Sequence, residues 1–282
     1  MPRTQLGEGP RLDAATSTLS WVDIVEGRLW VADVVAEAAD APDGAWLSRP
    51  RLVLELPGSL SCAVRAGAGD DWLLATGGTV ARWRPGTLPA TVAVLEPDPE
   101  RAHLNDGAVD PTGRFWVGSM DARRPLGPWG RLHLLDPSRS EVVLDGLLAA
   151  NGIGWSPDGR RMYVVDSGRR IVHRLRPGPT GGWTADGAPL EAPVGVPDGI
   201  TVDAEGCLWV ALWNGGCVVR LSPDGEELRR VEVPCSRPSA CTLIGTRLLI
   251  TTARLPDEPD SGWTYCADTD VPGPPAPRAT LL

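Results

Sequence analysis

The sequence predicts an all-β protein, and three observations support this: frequent turn residues, a lack of helical periodicity and an internal repeat. The 282 residues include 33 Gly and 28 Pro, which end regular elements and form turns. No stretch places its apolar residues at the 3.6-residue spacing of an amphipathic helix. Short β-prone runs such as Phe115-Trp116-Val117 instead follow turn sequences such as Asp110-Pro111-Thr112-Gly113.

The repeat is a polar residue followed by a short strand, a tight turn and a second strand. Clear copies begin at Asp106, Asn151 and Asp198, and weaker copies cover residues 8–23, 62–76 and 240–251. A third β-like run follows each copy, and a fourth follows most of them. Four strands per unit, at a period of roughly 40–50 residues, are typical of propeller blades. The six copies therefore predict a six-bladed β-propeller with inner strands that start near residues 8, 62, 106, 151, 198 and 240.

We expect residues 1–282 to form one domain, with four-stranded blades around a central channel. A β-sandwich is the alternative, although sandwiches do not repeat one hairpin at a fixed spacing. The net charge of −9 argues against nucleic acid or an anionic membrane as a partner. No apolar run approaches the ~20 residues that span a bilayer. The first residues lack an apolar signal sequence, which makes a cytoplasmic location the expectation.

The six Cys form no C-x-x-C pair and lie mostly in strand-like runs, so buried, reduced thiols are predicted. A structural zinc site or a disulfide framework is the alternative. Two loops that join second and third strands, residues 120–129 and 254–261, are predicted to roof a central pocket on the top face. Residues 35–50 are expected to form a solvated loop on the opposite face, and residues 278–282 the outer strand of the sixth blade.

Superposition of the six predicted inner strands brings one column of residues to the channel. That column consists of Glu8, Ser61, Asp106, Asn151, Asp198 and Ser239. Carboxylates and carboxamides in a narrow channel are costly to bury unless a cation compensates them. The absence of His and Cys favours a hard ion such as Ca²⁺, Mg²⁺ or Mn²⁺ over structural Zn²⁺. The alternative is a hydrated polar channel, because Asn-Gly and Asp-Gly pairs are common turn signals.

Several motifs in order and spacing resemble the SMP-30/gluconolactonase/regucalcin family over about residues 5–266. The motifs are Glu8-Gly9-Pro10, Asn105-Asp106-Gly107 followed by residues 115–120, residues 151–158, and Pro197-Asp198-Gly199. The resemblance implies a six-bladed propeller with one divalent ion in its channel, which hydrolyses sugar lactones. A small sugar lactone is therefore the expected partner of a monomer or small homo-oligomer.

Carried over residue by residue, the resemblance makes Glu8, Asn151 and Asp198 the metal ligands. It also makes Asp198 the candidate general base, which takes a proton from water as the lactone carbonyl is attacked. Ca²⁺ is the expected ion, with Zn²⁺, Mg²⁺ and Mn²⁺ as alternatives. Asn105 matches a substrate-contacting Asn of the family.

At two positions the chain departs from the animal regucalcin pattern. His103 stands where a substrate-binding Arg is found, and Arg123 falls where the family has a Glu. We expect both side chains to contact substrate, and the departures bear on which lactone is bound. Two other functions stay open: a related metal-dependent esterase or phosphotriesterase, and a calcium-binding propeller without turnover.

Overall fold

The computed structural model describes residues 1–35, 46–137, 139–179 and 182–281. These residues form six separate antiparallel sheets, each built from consecutive strands. The first three sheets are blade one with β1 (Gly7–Asp13), β2 (Thr18–Asp23), β3 (Arg28–Asp33) and β4 (Arg51–Glu55); blade two with β5 (Cys62–Ala66), β6 (Asp71–Thr76), β7 (Thr79–Trp83) and β8 (Ala90–Val94); and blade three with β9 (Ala102–Val109), β10 (Phe115–Asp121), β11 (Gly130–Asp136) and β12 (Arg139–Leu147).

The other three sheets differ slightly in strand number. They are blade four with β13 (Ala150–Trp155), β14 (Met162–Asp166), β15 (Ile171–Pro177), β16 (Trp183–Ala185) and β17 (Leu190–Glu191); blade five with β18 (Val196–Val202), β19 (Leu208–Trp213), β20 (Cys217–Leu221) and β21 (Glu227–Glu232); and blade six with β22 (Pro238–Ile244), β23 (Arg247–Thr252) and β24 (Tyr265–Asp268). Both β16 and β17 pair with β15, and a 3₁₀ turn spans Ser167–Arg169.

The inner strands contact one another in a closed ring, in the order β1, β5, β9, β13, β18, β22 and back to β1. The prediction of a six-bladed β-propeller is therefore confirmed. Blade one joins blade six without exchanging a strand. The Thr4 N–H donates to the Gly262 carbonyl at 2.8 Å, and Leu6 forms a β-bridge with Ala253. Below, the top face is the one at which the inner strands begin.

The core consists of layers between neighbouring blades rather than one central cluster. Val64 and Leu73 of blade two, for example, pack with Phe115 and Val117 of blade three. The second strand of a blade has a neighbouring blade on each face, so its side chains are buried on both sides. In β2, all six residues are buried. This explains why a second strand such as β19 is a continuous apolar run rather than an alternating one.

The predicted position of the C-terminal residues is wrong. Residues 278–281 do not extend blade six; they cross the bottom face. The Ala279 N–H donates to the Arg65 carbonyl of blade two at 2.8 Å, and the Thr280 N–H to the Gly113 carbonyl of blade three at 2.7 Å. The preceding segment is rich in Pro, which cannot donate to a sheet ladder. Arg278 instead forms an ion pair with the buried Asp13, with Nη2 and Oδ2 2.5 Å apart.

Three smaller expectations can also be compared with the structure. All six Cys are free thiols, and five of them are buried, with Cys266 exposed. Most of the loop predicted over residues 35–50, namely residues 36–45, lies outside the described residues. In the described part of the chain, no helix is long and apolar enough to cross a membrane.

Candidate functional site

β-Bulges shape the top end of five inner strands. In β1, β9, β13 and β18, two inner-strand residues oppose one residue of the second strand, and β22 carries a shorter irregularity. The extra residues fall at the predicted polar column, around Glu8, Asp106, Asn151, Asp198 and Ser239. A bulge re-aims side chains that simple alternation would place on a blade face. The bulges thus account for polar side chains at the channel within otherwise apolar strands.

The glycines that follow these polar residues allow the inner strands to approach closely. A Cβ on Gly152 would lie 2.5 Å from the Asp198 carbonyl oxygen, and one on Gly199 would collide with the Ala240 side chain. Both glycines lie inside strands, so the alternative of Asn-Gly and Asp-Gly as turn signals is wrong here. Glycine is required because neighbouring backbones converge on the axis.

The two serines of the column link neighbouring blades. The Ser61 hydroxyl donates to the Leu104 carbonyl at 2.8 Å, and the Ser239 hydroxyl donates to the Gly7 carbonyl. Each bond satisfies a buried hydroxyl and fixes the spacing of two inner strands. The two serines therefore stabilise the ring of inner strands. The carboxylates and the amide of the column are the candidates for metal binding and catalysis.

Asn151 and Asp198 are in direct contact. The Asn151 amide donates to Asp198 Oδ1 and to the Ser167 hydroxyl, the latter at 3.2 Å. Ser167 in turn donates to the Pro197 carbonyl at 2.7 Å. Ser167 is a residue that the sequence analysis did not single out. It fixes the amide of Asn151 relative to the strand that carries Asp198.

Glu8 and Asp198 are buried, with 7% and 6% of their surfaces exposed. Burial raises the pKa of Glu8 well above its ordinary value, and the nearby charges of Asp198 and Asp106 raise it further. Burial and the charge of Asp106 likewise raise the pKa of Asp198. Burial also raises the pKa of Asp106, against the opposing effect of Arg11. The three carboxyl groups are thus close enough to repel one another.

Arg11 is the main channel residue that the sequence analysis missed. Its Nη2 lies 3.3 Å from Asp106 Oδ1, and the same nitrogen donates to the Gly107 carbonyl. Strict alternation along β1 would place residues 8 and 11 on opposite faces. The bulge between Glu8 and Arg11 removes that difference and brings both to the channel. The bulge could not be predicted from the sequence, in which its only trace is Gly9, a glycine that adopts a positive φ in the structure.

The three predicted substrate contacts lie in blade three or the loop above it. Asn105 donates to the Ala150 carbonyl at 3.0 Å, directly before Asn151. One ring nitrogen of His103, Nδ1, lies 3.0 Å from the Leu104 carbonyl of its own strand. Arg123 pairs with Asp121 at 3.0 Å; this hydrogen bond is the main reason that the pKa of Asp121 falls to about 2.

The chemistry of the donor set fits a hard divalent ion. Glu8 and Asp198 offer carboxylate oxygens and Asn151 an amide oxygen, all of the type that Ca²⁺ and Mg²⁺ prefer. Their mutual repulsion also favours a cation between them. Among the described residues, no three His, Cys, Asp or Glu side chains are grouped to hold a metal. The candidate set therefore depends on the amide of Asn151.

Fold and site define a class, namely six-bladed propellers that carry buried acids at one end of the channel. The model of the SMP-30/gluconolactonase/LRE-like region matches residues 6–254, and the chain belongs to this family. The resemblance stated from the motifs is thereby confirmed.

Curated relatives match over nearly the whole chain. An L-arabinolactonase of Azospirillum brasilense is 37% identical over 284 residues, covering 95% of this chain and 89% of the relative. A pentonolactonase of Haloferax volcanii is 33% identical over 261 residues, covering 88% of this chain and 82% of that protein. Among solved structures, a calcium-binding protein, regucalcin, from Agrobacterium tumefaciens superposes with a TM-score of 0.84 at 28% identity. The superposition covers 99% of this chain and 95% of that one.

Proposed function

We propose that this protein hydrolyses a sugar lactone to the open aldonic acid with the help of one divalent metal ion. The observation that carries the proposal is the pair of buried acids, Glu8 and Asp198, with Asn151 in contact with Asp198 at the bulged end of the channel. Relatives named L-arabinolactonase and pentonolactonase support an aldonolactone as substrate, and the family resemblance favours a gluconolactone-like one. A cytoplasmic location and a monomer or small homo-oligomer stay predictions.

Glu8, Asn151 and Asp198 are the proposed metal-holding residues. An ion bound there would supply Lewis acidity to the lactone carbonyl, whose oxygen gains negative charge as water adds. Ca²⁺ is the favoured ion because the donors are all oxygens, and a related structure is described as a calcium-binding protein. Zn²⁺, Mg²⁺ and Mn²⁺ are the alternatives, and each is added back separately in the experiment below.

Asp198 is the proposed general base. Burial raises the pKa of Asp198 in the metal-free channel, and an ion bound beside it would favour the ionised carboxylate, which is the form that accepts a proton. The Asn151 amide and Ser167 hold Asp198 in one orientation. The proton that Asp198 accepts comes from the water that attacks the lactone carbonyl.

Asn105 is proposed to bind substrate next to the metal-holding residues. One of its N–H groups is used by the Ala150 carbonyl, which leaves a second N–H and the amide oxygen for a sugar hydroxyl. His103 and Arg123 are proposed to contact the more distant hydroxyls. Arg123 is already paired with Asp121, so its role is to present the remaining guanidinium N–H groups.

Proton release from a panel of lactones tests the proposal. The panel contains γ- and δ-aldonolactones, together with aryl esters and aryl phosphotriesters. Turnover of an aldonolactone that EDTA abolishes and one added ion restores is the expected result. Faster turnover of the aryl substrates would favour the esterase alternative. Tight Ca²⁺ binding without turnover of any substrate would contradict the proposal and favour a non-catalytic propeller.

The Asp198→Asn variant tests the general base. The amide retains the size and an oxygen ligand, so metal binding should persist while kcat falls by roughly 10²–10⁴-fold. Turnover at the wild-type rate with metal bound would exclude Asp198 as the base. The control is Ser61→Ala, which removes a polar group from the same column but leaves the acids in place. Its kcat should remain near that of the wild type.

A further inference from the structure

Arg11 lies beside the acids of the channel and follows Glu8 along β1 toward the bottom face. Its guanidinium contacts Asp106 and the Gly107 carbonyl, and it also lies 3.8 Å from the Cys62 sulfur. On its other side is a largely apolar cavity of about 460 Å³. Arg11 Nε is buried and has no hydrogen-bond partner among the described residues. A buried N–H without an acceptor lowers the stability of the fold, so we expect the Arg11 charge to have a function at this position.

The balance of charges at this end of the channel indicates what that function is. Glu8, Asp106 and Asp198 carry three negative charges when ionised. Within the described part of the chain, the pair between Arg11 and Asp106 is the only ion pair that these acids make with a basic side chain. One arginine and one divalent ion together neutralise three carboxylates, whereas the arginine with a trivalent ion would leave a positive excess.

We propose that Arg11 supplies a fixed positive charge that matches the channel to a divalent rather than a trivalent cation. The proposal rests on the proposed function, because it assumes that a metal ion binds between Glu8, Asn151 and Asp198. Asp106 and the Gly107 carbonyl hold the Arg11 guanidinium beside the metal-holding residues, and its charge acts on the ion without contact to the ion or the substrate. The bulge in β1 brings Glu8 and Arg11 to the channel together, which places the charge of Arg11 near the proposed ion.

The test compares Ca²⁺ with Tb³⁺, which have similar size and oxygen preference but different charge. Calorimetric titration of the purified full-length protein gives both dissociation constants. Loss of the Arg11 charge strengthens the attraction for a trivalent ion more than for a divalent one, because Coulomb energy scales with the ion's charge. In Arg11→Met, the ratio of the Ca²⁺ to the Tb³⁺ dissociation constant should therefore rise about tenfold or more. A purely structural role would weaken both ions alike and leave this ratio unchanged.

Two further variants separate charge from geometry. Arg11→Lys retains the charge, so its ratio should stay within about threefold of wild type. Arg65→Met removes another inner-strand arginine of similar exposure, 13% against 19%, whose ion pairs are with Asp13 and Asp70. Its ratio should equal that of the wild type. If Arg11→Met does not fold, Arg11→Gln replaces it, since it retains a donor without the charge, and must show the same rise.

The possible failures are distinguishable. Absence of metal binding by the wild-type protein would contradict the proposed function itself. Metal binding with an unchanged ratio in the neutral variants would overturn only the role of Arg11. A tenfold shift in Arg11→Lys would also overturn it, because the charge is still present there.

Discussion

Two groups of buried acids lie at opposite ends of the inner strands. Asp110 and Asp203 follow β9 and β18 at the bottom face, and they are 1% and 0% exposed. Asp203 accepts hydrogen bonds from the backbone N–H of Glu205 and Cys207, from Trp209 Nε1 at 3.1 Å and from Arg220 Nε at 2.7 Å. A carboxylate with this many donors is stable in a protein interior without any ligand.

The acids at the top end are equally buried but have few donors. Asp198 accepts a hydrogen bond from the Asn151 amide, and Glu8 accepts one from the Gly9 N–H at 3.3 Å. Burial raises the pKa of Asp110, but its hydrogen bonds from Thr112, Trp116 and Arg114 outweigh burial and lower it. For Glu8 and Asp198 burial prevails. The bottom acids are therefore satisfied by the fold itself, whereas the top acids have few donors, as the proposed cation site requires.

The largest effect on stability is expected at the bottom acids. Asp203→Ala leaves Arg220 Nε and the Trp209 N–H without their acceptor, and should lower the free energy of unfolding by about 3–5 kcal/mol. Urea denaturation measures this. Asp158→Ala, in the matching turn of blade four, is the control, because Asp158 is exposed and its loss should cost much less. Equal losses in both variants would refute the distinction.

At the top end the sign of the effect should reverse. In the metal-free protein, Asp198→Asn removes a charge that Glu8 and Asp106 repel, and should raise the free energy of unfolding by about 1 kcal/mol at neutral pH. Saturating Ca²⁺ should stabilise the wild type more than the variant. Destabilisation of the metal-free variant by as much as Asp203→Ala would show that the top acids are also structural.

The pH dependence of stability should differ between the two groups. Glu8 and Asp198 have raised pKa values when folded, so the stability they contribute is complete below their unfolded pKa and is lost as pH rises through the folded pKa. The pKa of Asp110 is lowered, so its contribution is present above the unfolded pKa and is lost as pH falls.

With EDTA, the melting temperature should therefore decline as pH rises from about 5 to 8. Excess Ca²⁺ should remove most of this decline, because the bound ion favours the ionised carboxylates. Thermal denaturation followed by circular dichroism measures both series. A metal-free protein whose melting temperature rises over this range would contradict the prediction.

The repeat and the polar column could be predicted from sequence because both depend on local patterns. Turn residues, β-prone runs and a fixed spacing determine where strands begin and end. The residues before each glycine, such as Asn151 and Asp198, stand out because a polar side chain interrupts an apolar strand. The ring then brings these positions together through symmetry, without any further information from the sequence.

What could not be predicted depends on contacts between distant segments. The bulge that brings Arg11 to the channel arises where converging backbones need an extra residue, and alternation alone places Arg11 on the wrong face. The C-terminal segment was misplaced for a similar reason. Its position is set by the buried Asp13, which Arg278 reaches across 265 residues of chain. A local sequence pattern cannot predict a contact between residues so far apart in the chain.

The smallest predicted effect isolates a single donor of the bottom acids. Trp209→Phe retains most of the buried ring but removes the N–H that Asp203 accepts, which should cost about 1 kcal/mol beyond the change in ring size. Trp155→Phe is the matched control, because Trp155 Nε1 is buried with no hydrogen-bond partner among the described residues. The difference between the two free energies of unfolding, measured in urea, is the contribution of the N–H. Equal losses would mean that Asp203 is satisfied without Trp209, and that the number of donors does not distinguish the two groups of acids.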